Sequence, residues 1–253
     1  MKSFIYDSIK LMDSTLTVGS ISGGSFSSGS NPTNKERLVD QSILNGISSF
    51  GSNTVKFVLS AGADPDIIAI YLSSANVGGT FDIDVYGATS DTVGSSKASI
   101  STEDSGWFTA TITNTGNQTH WFVDSTNPAT DNIFNECIIG KKLDFDVNPD
   151  LSMATSEQHG VTLNTSYGGV DFATKRHDSR SQWTLNFSNI SSSFKTDLES
   201  MRDSLVGPFQ PFLYYNDEGS GSYNWVRMTD DSLSFTEIAH QRYSTSISMI
   251  QQL

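Results

Sequence analysis

Cysteine is almost absent from this sequence: Cys137 stands alone among 253 residues. A single thiol excludes an internal disulfide framework and any cysteine-based zinc set. Cys137 lies within Ile133-Phe134-Asn135-Glu136-Cys137-Ile138-Ile139, where a small buried hydrophobe is expected and not a reactive thiol. Histidine is scarce as well. His120, His159, His177 and His240 fall in no His-x-x-x-His or His-Glu-x-x-His pairing, so no metal site and no cofactor are expected. Neither a Gly-x-Ser-x-Gly elbow nor a Gly-x-x-x-x-Gly-Lys-Ser/Thr loop occurs. No catalytic residue is assigned on these grounds, and the chain is expected not to be an enzyme. Positive charge is also in short supply. Against 28 Asp and Glu there are 15 Lys and Arg, for a net charge of −13, and both halves of the chain are acidic. Such a surface repels phosphates, so nucleic acid is not an expected partner. No apolar run approaches the roughly 20 residues of a membrane-spanning helix. The first residues lack the apolar core of a secretion signal, and folding in a cytoplasm is expected.

What is present is a packed β-rich chain. Charged residues make up only 17%, and 15 Phe with 4 Trp supply an interior. From Val55 to Asn148 the pattern is one of short strands. Val55, Phe57 and Leu59 alternate, as do Phe81, Ile83 and Val85. Ile67 to Leu72, Trp107 to Ile112 and Trp121-Phe122-Val123 are further apolar stretches. Turn signals at Ala63-Asp64-Pro65-Asp66, Gly78-Gly79, Asn114-Thr115-Gly116 and Asn127-Pro128 separate them, a spacing that suits a β-sandwich. Residues 19–34 are rich in Gly, Ser and Asn and read as a loop or loose edge. Asn148-Pro149-Asp150 is the expected domain boundary. Beyond it, residues 151–166 read as a long polar loop or an edge hairpin, and Trp183, Leu185 and Phe187 mark a strand. Phe194, Leu198, Met201 and Leu205 form one apolar stripe, which predicts a helix over about 191–206. Ser191 to Ser193 offer its cap and Gly207-Pro208 its stop. Strands follow at Pro211 to Tyr215, Trp225 to Met228 and Tyr243 to Ile250, with a turn at Asp217 to Gly221. The expected fold is mainly β: a jelly-roll sandwich over 1–148, then a β-barrel-like domain over 149–253 with one helix, in the order β-α-β-β-β.

Few side chains carry a chemical signal. Asp82 and Asp84 lie two apart on a strand and share a face, as do Asp144 and Asp146 around Phe145. Paired carboxylates suit acid/base work or calcium, but these are expected to point to solvent opposite buried neighbours. Tyr86, Trp107 and Trp121 could form a sugar-stacking platform or could be core residues. Lys175, Arg176 and Arg180 crown the densest basic stretch. They suit either contact with an acidic neighbouring subunit or a solvated strand end.

Two stretches resemble known families. Over residues 11–147 the order of an opening strand Leu11 to Leu16, then Arg37-Leu38-Val39-Asp40, Val55 to Leu59, Ile67 to Leu72, Thr80-Phe81-Asp82-Ile83-Asp84-Val85-Tyr86-Gly87 and Ile138 to Leu143 is similar to discoidin-like (galactose-binding-like) jelly rolls. Over residues 166–253, Ser166-Tyr167-Gly168-Gly169-Val170, Arg176, Arg180, Trp183 to Ile190, Gly207 to Tyr214 and Trp225-Val226-Arg227 resemble the distal and minor tail proteins of long-tailed bacteriophages. That resemblance implies a ring-forming, non-catalytic module at the virion tail tip, assembled in the host cytoplasm. Its implied partners are the tail tube, the hub, the tape measure region and copies of itself, most naturally six. The jelly roll implies an accessory domain that decorates the module or meets a host surface glycan.

Overall fold

The structure, a computed structural model, describes residues 2–29, 35–44, 46–48, 53–74, 81–102, 104–113, 116–125, 133–150, 154–216 and 223–252. The Gly78-Gly79, Asn114-Thr115, Asn127-Pro128 and Asp217 to Gly221 turn signals lie outside the described residues. The protein is mainly β, with antiparallel strands and one α-helix among the described residues. Chain contacts divide it into two units, one of Ile5–Leu143 and one of Met1–Phe4 with Asp144–Leu253.

The first unit is a sandwich. One sheet has six strands: β2 (Thr15–Ser22), β3 (Ser25–Ser28), β5 (Thr54–Ala63), β7 (Phe81–Ala88), β8 (Ser96–Thr102) and β10 (Gln118–Ser125), in the order β3-β2-β5-β10-β7-β8. Facing it, β11 (Ile133–Asp144) pairs with β4 (Ile47–Ser48) and β6 (Ile67–Ser74), and β6 pairs with β9 (Gly106–Thr111). Alternation decides which side chains meet. Val55, Phe57, Val85, Trp121 and Val123 point inward from the first sheet, towards Ile68, Ile70, Leu72, Phe134 and Ile139 of the second. Cys137 is buried in the same cluster. Each large side chain sealed this way contributes about 2–3 kcal/mol of transfer free energy.

Trp121-Phe122-Val123 breaks strict alternation, because all three are buried. Phe122 points to the outer face, where Phe26 of β3 covers it at 5.7 Å together with Ala88 and Val93. Of the two readings of the Gly/Ser-rich segment, loop or loose edge, the edge holds: it is a paired edge hairpin through residue 28. The Lys56 ammonium lies 4.5 Å above the Phe26 ring and bonds Asp91 at 2.7 Å, pinning that hairpin down.

The opening of the chain differs from expectation. The first strand is β1 (Ser3–Tyr6), whereas Leu11–Asp13 is a single 3-10 turn and β2 begins only at Thr15. Lys10 adopts a left-handed conformation (φ 54°), and the Asp7 carboxylate accepts the N–H groups of Ile9 and Leu11 at 3.1 and 2.7 Å. Those bonds hold the turn where the apolar residues alone suggest a strand.

In the second unit the sheet order is β12 (Ala154–Thr165), β13 (Asp171–Ser191), β17 (Arg242–Gln251), β15 (Tyr223–Met228) and β14 (Phe212–Tyr215). A short strand absent from the sequence reading, β16 (Thr236–Ala239), pairs with another stretch of β17. Helix α1 (Ser192–Leu205) buries the four predicted residues Phe194, Leu198, Met201 and Leu205. Its N-cap is Ser191, whose Oγ accepts the Phe194 N–H at 3.2 Å, and Asp146 accepts from both the Ser191 N–H and its hydroxyl. The ring of Phe145 gathers the core, with Phe4 at 4.7 Å, Phe187 at 5.3 Å and Phe194 at 6.0 Å. The helix stops one residue early: Val206 is already left-handed (φ 54°), ahead of Gly207 (φ 63°).

Gly140 supplies a test of the sandwich. A Cβ there would sit 1.9 Å from the Tyr6 carbonyl oxygen, which is backbone and cannot swing away. Gly140→Ala is expected to cost about 3 kcal/mol. Urea denaturation that shows a loss below about 1 kcal/mol would refute this packing.

Candidate functional site

The three aromatic residues proposed as a sugar platform do not come together. Trp121 is fully buried, its ring over Gly87, where a Cβ would lie 3.1 Å from the indole. It therefore cannot stack on a sugar, and the reading of Trp121 as a platform residue is corrected. The reason is register: Trp121 sits opposite Phe57 and Gly87 on the inner face of β10. Tyr86 lies on the outer face, half-buried against Phe122, and its hydroxyl pKa is raised by burial and then by Asp84 and Asp124. Trp107 belongs to the other sheet, half-buried with its ring 5.3 Å from that of Tyr71.

The paired carboxylates hold structural positions. Asp82 accepts from the Ser101 hydroxyl at 2.6 Å and Asp84 from Ser96 at 3.4 Å, both on the outer face opposite inward-facing Ile83 and Val85. Asp124 lies across from Asp84. Burial raises its pKa, the Thr54 hydroxyl at 2.5 Å lowers it, and Asp84 raises it further. Asp144 and Asp146 are exposed around buried Phe145, and Asp146 serves the helix N-terminus as described. Burial, reinforced by Glu136 and Asp7, pushes the Cys137 thiol well above its ordinary value.

Two acids escaped the sequence reading. Glu136 is buried, and Asp7 is half-buried. Burial lifts Asp7 to about 7, although its two carboxylate oxygens accept backbone N–H groups that favour the ionised form. Glu136 is raised well above the usual carboxylate range by burial and by Asp40 and Asp7, and its Oε2 has no hydrogen-bond partner among the described residues. In a linear reading Asp7 has no local signature, and Glu136 shows only as a charge within an apolar run. No group of three or more His, Cys, Asp or Glu is arranged to hold a metal among the described residues.

The most unusual surface is the β12–β13 hairpin. It pairs from Ala154↔Thr184 out to Thr165↔Asp171, and Ser166 to Val170 form its tip. From residue 154 to residue 176 nearly every side chain is exposed, on both faces. Val161, Leu163, Tyr167, Val170 and Phe172 are half of the ten large hydrophobic residues exposed among the described residues. A two-stranded ribbon has no interior of its own, so these side chains stay wet unless another surface covers them. Among the described residues the outer edge of β12 has no strand beside it; the strand carries no proline and a bulge at Gly160. The basic residues follow on β13. Lys175 pairs with Asp178, Arg176 is exposed, and Arg180 is half-buried with its Nε unpartnered among the described residues. Sequence reasoning found the basic cluster but not the apolar set beside it. Its signal was there, in Val161 and Leu163 two apart before the turn and Val170 and Phe172 two apart after it.

The same unit carries two open clefts. One of about 570 Å³ is lined by hydroxyls and carboxylates, including Asp150, Ser188, Asp230 and Ser246. The other, about 500 Å³, lies at the C-terminal end of α1 between Arg202, Asp203, Val206, Pro208 and Asp231.

No protein-family model matches this chain, and no curated protein does. Among solved structures it is similar to the family 32 carbohydrate-binding module of NanJ from C. perfringens, in complex with galactose. The TM-score is 0.37 and the identity 12%, covering 55% of this chain and 98% of that one.

Asp7 makes stability depend on pH. Its folded pKa of about 7 stands above the ordinary 3.8, so the fold holds a proton that the unfolded chain releases. This contribution is complete below about pH 4 and is lost as pH rises through about 7. Asp7→Asn is expected to flatten the fall in unfolding free energy between pH 4.5 and 7.5, leaving the share due to Glu136. An unchanged slope in urea titrations would contradict the assignment.

Proposed function

We propose that the chain is a non-catalytic structural subunit that associates with copies of itself in the tail tip of a long-tailed bacteriophage. There it acts as a distal or minor tail protein, in a ring that links tail tube and hub near the tape measure region. The β12–β13 hairpin carries this reading. A strand edge left open beside five uncovered apolar side chains is a liability in a solitary protein and ordinary in a subunit awaiting its neighbour. The phage setting rests on the resemblance of residues 166–253. In this reading the subunit sits in the virion after assembly in the host cytoplasm, and six-fold tail tubes favour a hexamer. The net charge of −13 keeps free subunits apart and soluble until a complementary surface is met.

A second reading has one observation in its favour. The half-buried Tyr71–Trp107 pair presents aromatic surface on a sheet face, which suits stacking on a host surface glycan. In that case the first unit is a carbohydrate-binding module.

The two readings separate in solution. The assembly reading expects sedimentation velocity to show a defined oligomer that grows with protein concentration, and electron microscopy of particles to place the chain in a tail-tip ring. A monomer at all concentrations, with no ring, would remove it. The glycan reading expects saturable binding that falls at least tenfold in Trp107→Ala. A blank glycan array ends it. Trp121→Ala, by contrast, is expected to lose about 3–5 kcal/mol of stability, as core tryptophans do.

A further inference from the structure

A half-buried cation without a partner is costly, and several of the half-buried basic side chains here hold a carboxylate. Lys56 bonds Asp91, Lys141 lies against Asp66, Lys195 against Glu199 and Arg202 against Asp203. Arg180 and Arg227 differ. Both are half-buried, and the Nε of each is shielded from solvent. Neither guanidinium has a hydrogen-bond or ion-pair partner among the described residues. Burial lowers the Arg227 pKa from its ordinary value, with no nearby carboxylate to hold it up.

Strand register puts the two arginines on one face of the second unit's sheet. Gln182 lies opposite Ile250, and Ile250 opposite Arg227, so all three share a face. Arg180 is two residues from Gln182 along β13, with no bulge between them, and therefore shares it too. Two strands across and two residues along, the Cα atoms of Arg180 and Arg227 stand about 12 Å apart in a regular sheet. Two arginine side chains can close that gap from its opposite ends.

The neighbours on this face are amides and hydroxyls, and Glu157 of β12 points to the other side, opposite Ser181. The Ser156 hydroxyl donates to Gln182 Oε1 at 3.4 Å, and Gln182 Nε2 donates to Gln158 Oε1 at 3.1 Å. This ladder engages the Gln158 carbonyl and leaves its Nε2 donors without a partner among the described residues, directly across from Arg180. The corner thus offers donors alone: two guanidinium groups and one amide.

We propose that Arg180, Arg227 and Gln158 form a binding site for an oxyanion, the carboxylate or phosphate group of an acidic ligand. Guanidinium forks match both groups in shape, and charge-assisted hydrogen bonds are strongest where water is partly excluded. Elsewhere a chain of net charge −13 repels such a ligand, which confines it to this face. The inference stands apart from both readings above, since it needs neither an oligomer nor an aromatic platform.

Isothermal titration of the full chain at low ionic strength, with inorganic phosphate and separately with citrate, tests the site. Saturable binding of one or both is expected, and the stronger of the two identifies the oxyanion. Arg180→Gln and Arg227→Gln are each expected to weaken that binding at least tenfold. Arg242→Gln, which changes an exposed arginine of β17, leaves it unchanged. Thermal melting in chloride separates a binding role from a structural one. Arg227→Met is expected to melt at the wild-type temperature or above, because it removes an unpaired charge, and to lose the upward shift that the anion gives the wild type. A lower melting point for Arg227→Met would reveal a structural partner and overturn the site. So would variants that bind like the wild type, or a response that sodium chloride reproduces at equal ionic strength. If neither anion binds while the variants lose self-association, the pair belongs to a protein contact and the ligand site is withdrawn.

Discussion

A β-sheet must pair its edge strands, cover them or leave them to another molecule, since every edge exposes a row of unpaired donors and acceptors. The rest of this structure depends on how that constraint is met in each unit. In the first unit the sheets face each other across one core, and the β2–β3 edge is held by Phe26 over Phe122 and by Lys56 bonded to Asp91. In the second unit α1 packs its stripe on one face, while β12 is left open with an apolar ribbon beyond it. The second solution leaves the β12 edge and its apolar neighbours uncovered among the described residues.

The two solutions also separate stability from function. The ring cluster around Phe145 holds the second unit together and the layer around Trp121 the first. The hairpin contributes little to that, because its side chains face water on both sides. Features that cost the isolated chain free energy gather on the hairpin of the second unit, where Leu163 and Phe172 are exposed. Costs that persist without benefit to the fold are where association is expected to act.

Much of the fold is legible in the sequence wherever periodicity and burial agree. The stripe Phe194, Leu198, Met201, Leu205 predicts α1, and Ser191 caps it. Trp183, Leu185 and Phe187 alternate in sequence and are buried in β13. Where tertiary contacts override local pattern, the sequence misleads. Trp107 and Trp121 read alike, yet register puts one half-buried beside Tyr71 and the other wholly inside over Gly87. Leu11 and Met12 read as strand, but the Asp7 carboxylate and the left-handed Lys10 make a turn of them. Half-buried Asp7 had no local signature, and buried Glu136 showed only as a charge within an apolar run. Candidate function was legible only in part: Lys175, Arg176 and Arg180 stood out by charge, while Val161, Leu163 and Phe172 were masked by the polar residues between them.

The central claim is that residues 154–176 are open in the free chain and covered in the assembly. Amide hydrogen exchange across that hairpin, followed as protein concentration rises, measures it directly. The account predicts fast exchange on β12 in dilute protein and strong protection in the oligomer, with the core of the first unit unchanged. Exchange on β12 that is already slow in the monomer, or equally fast in the assembled state, would contradict it.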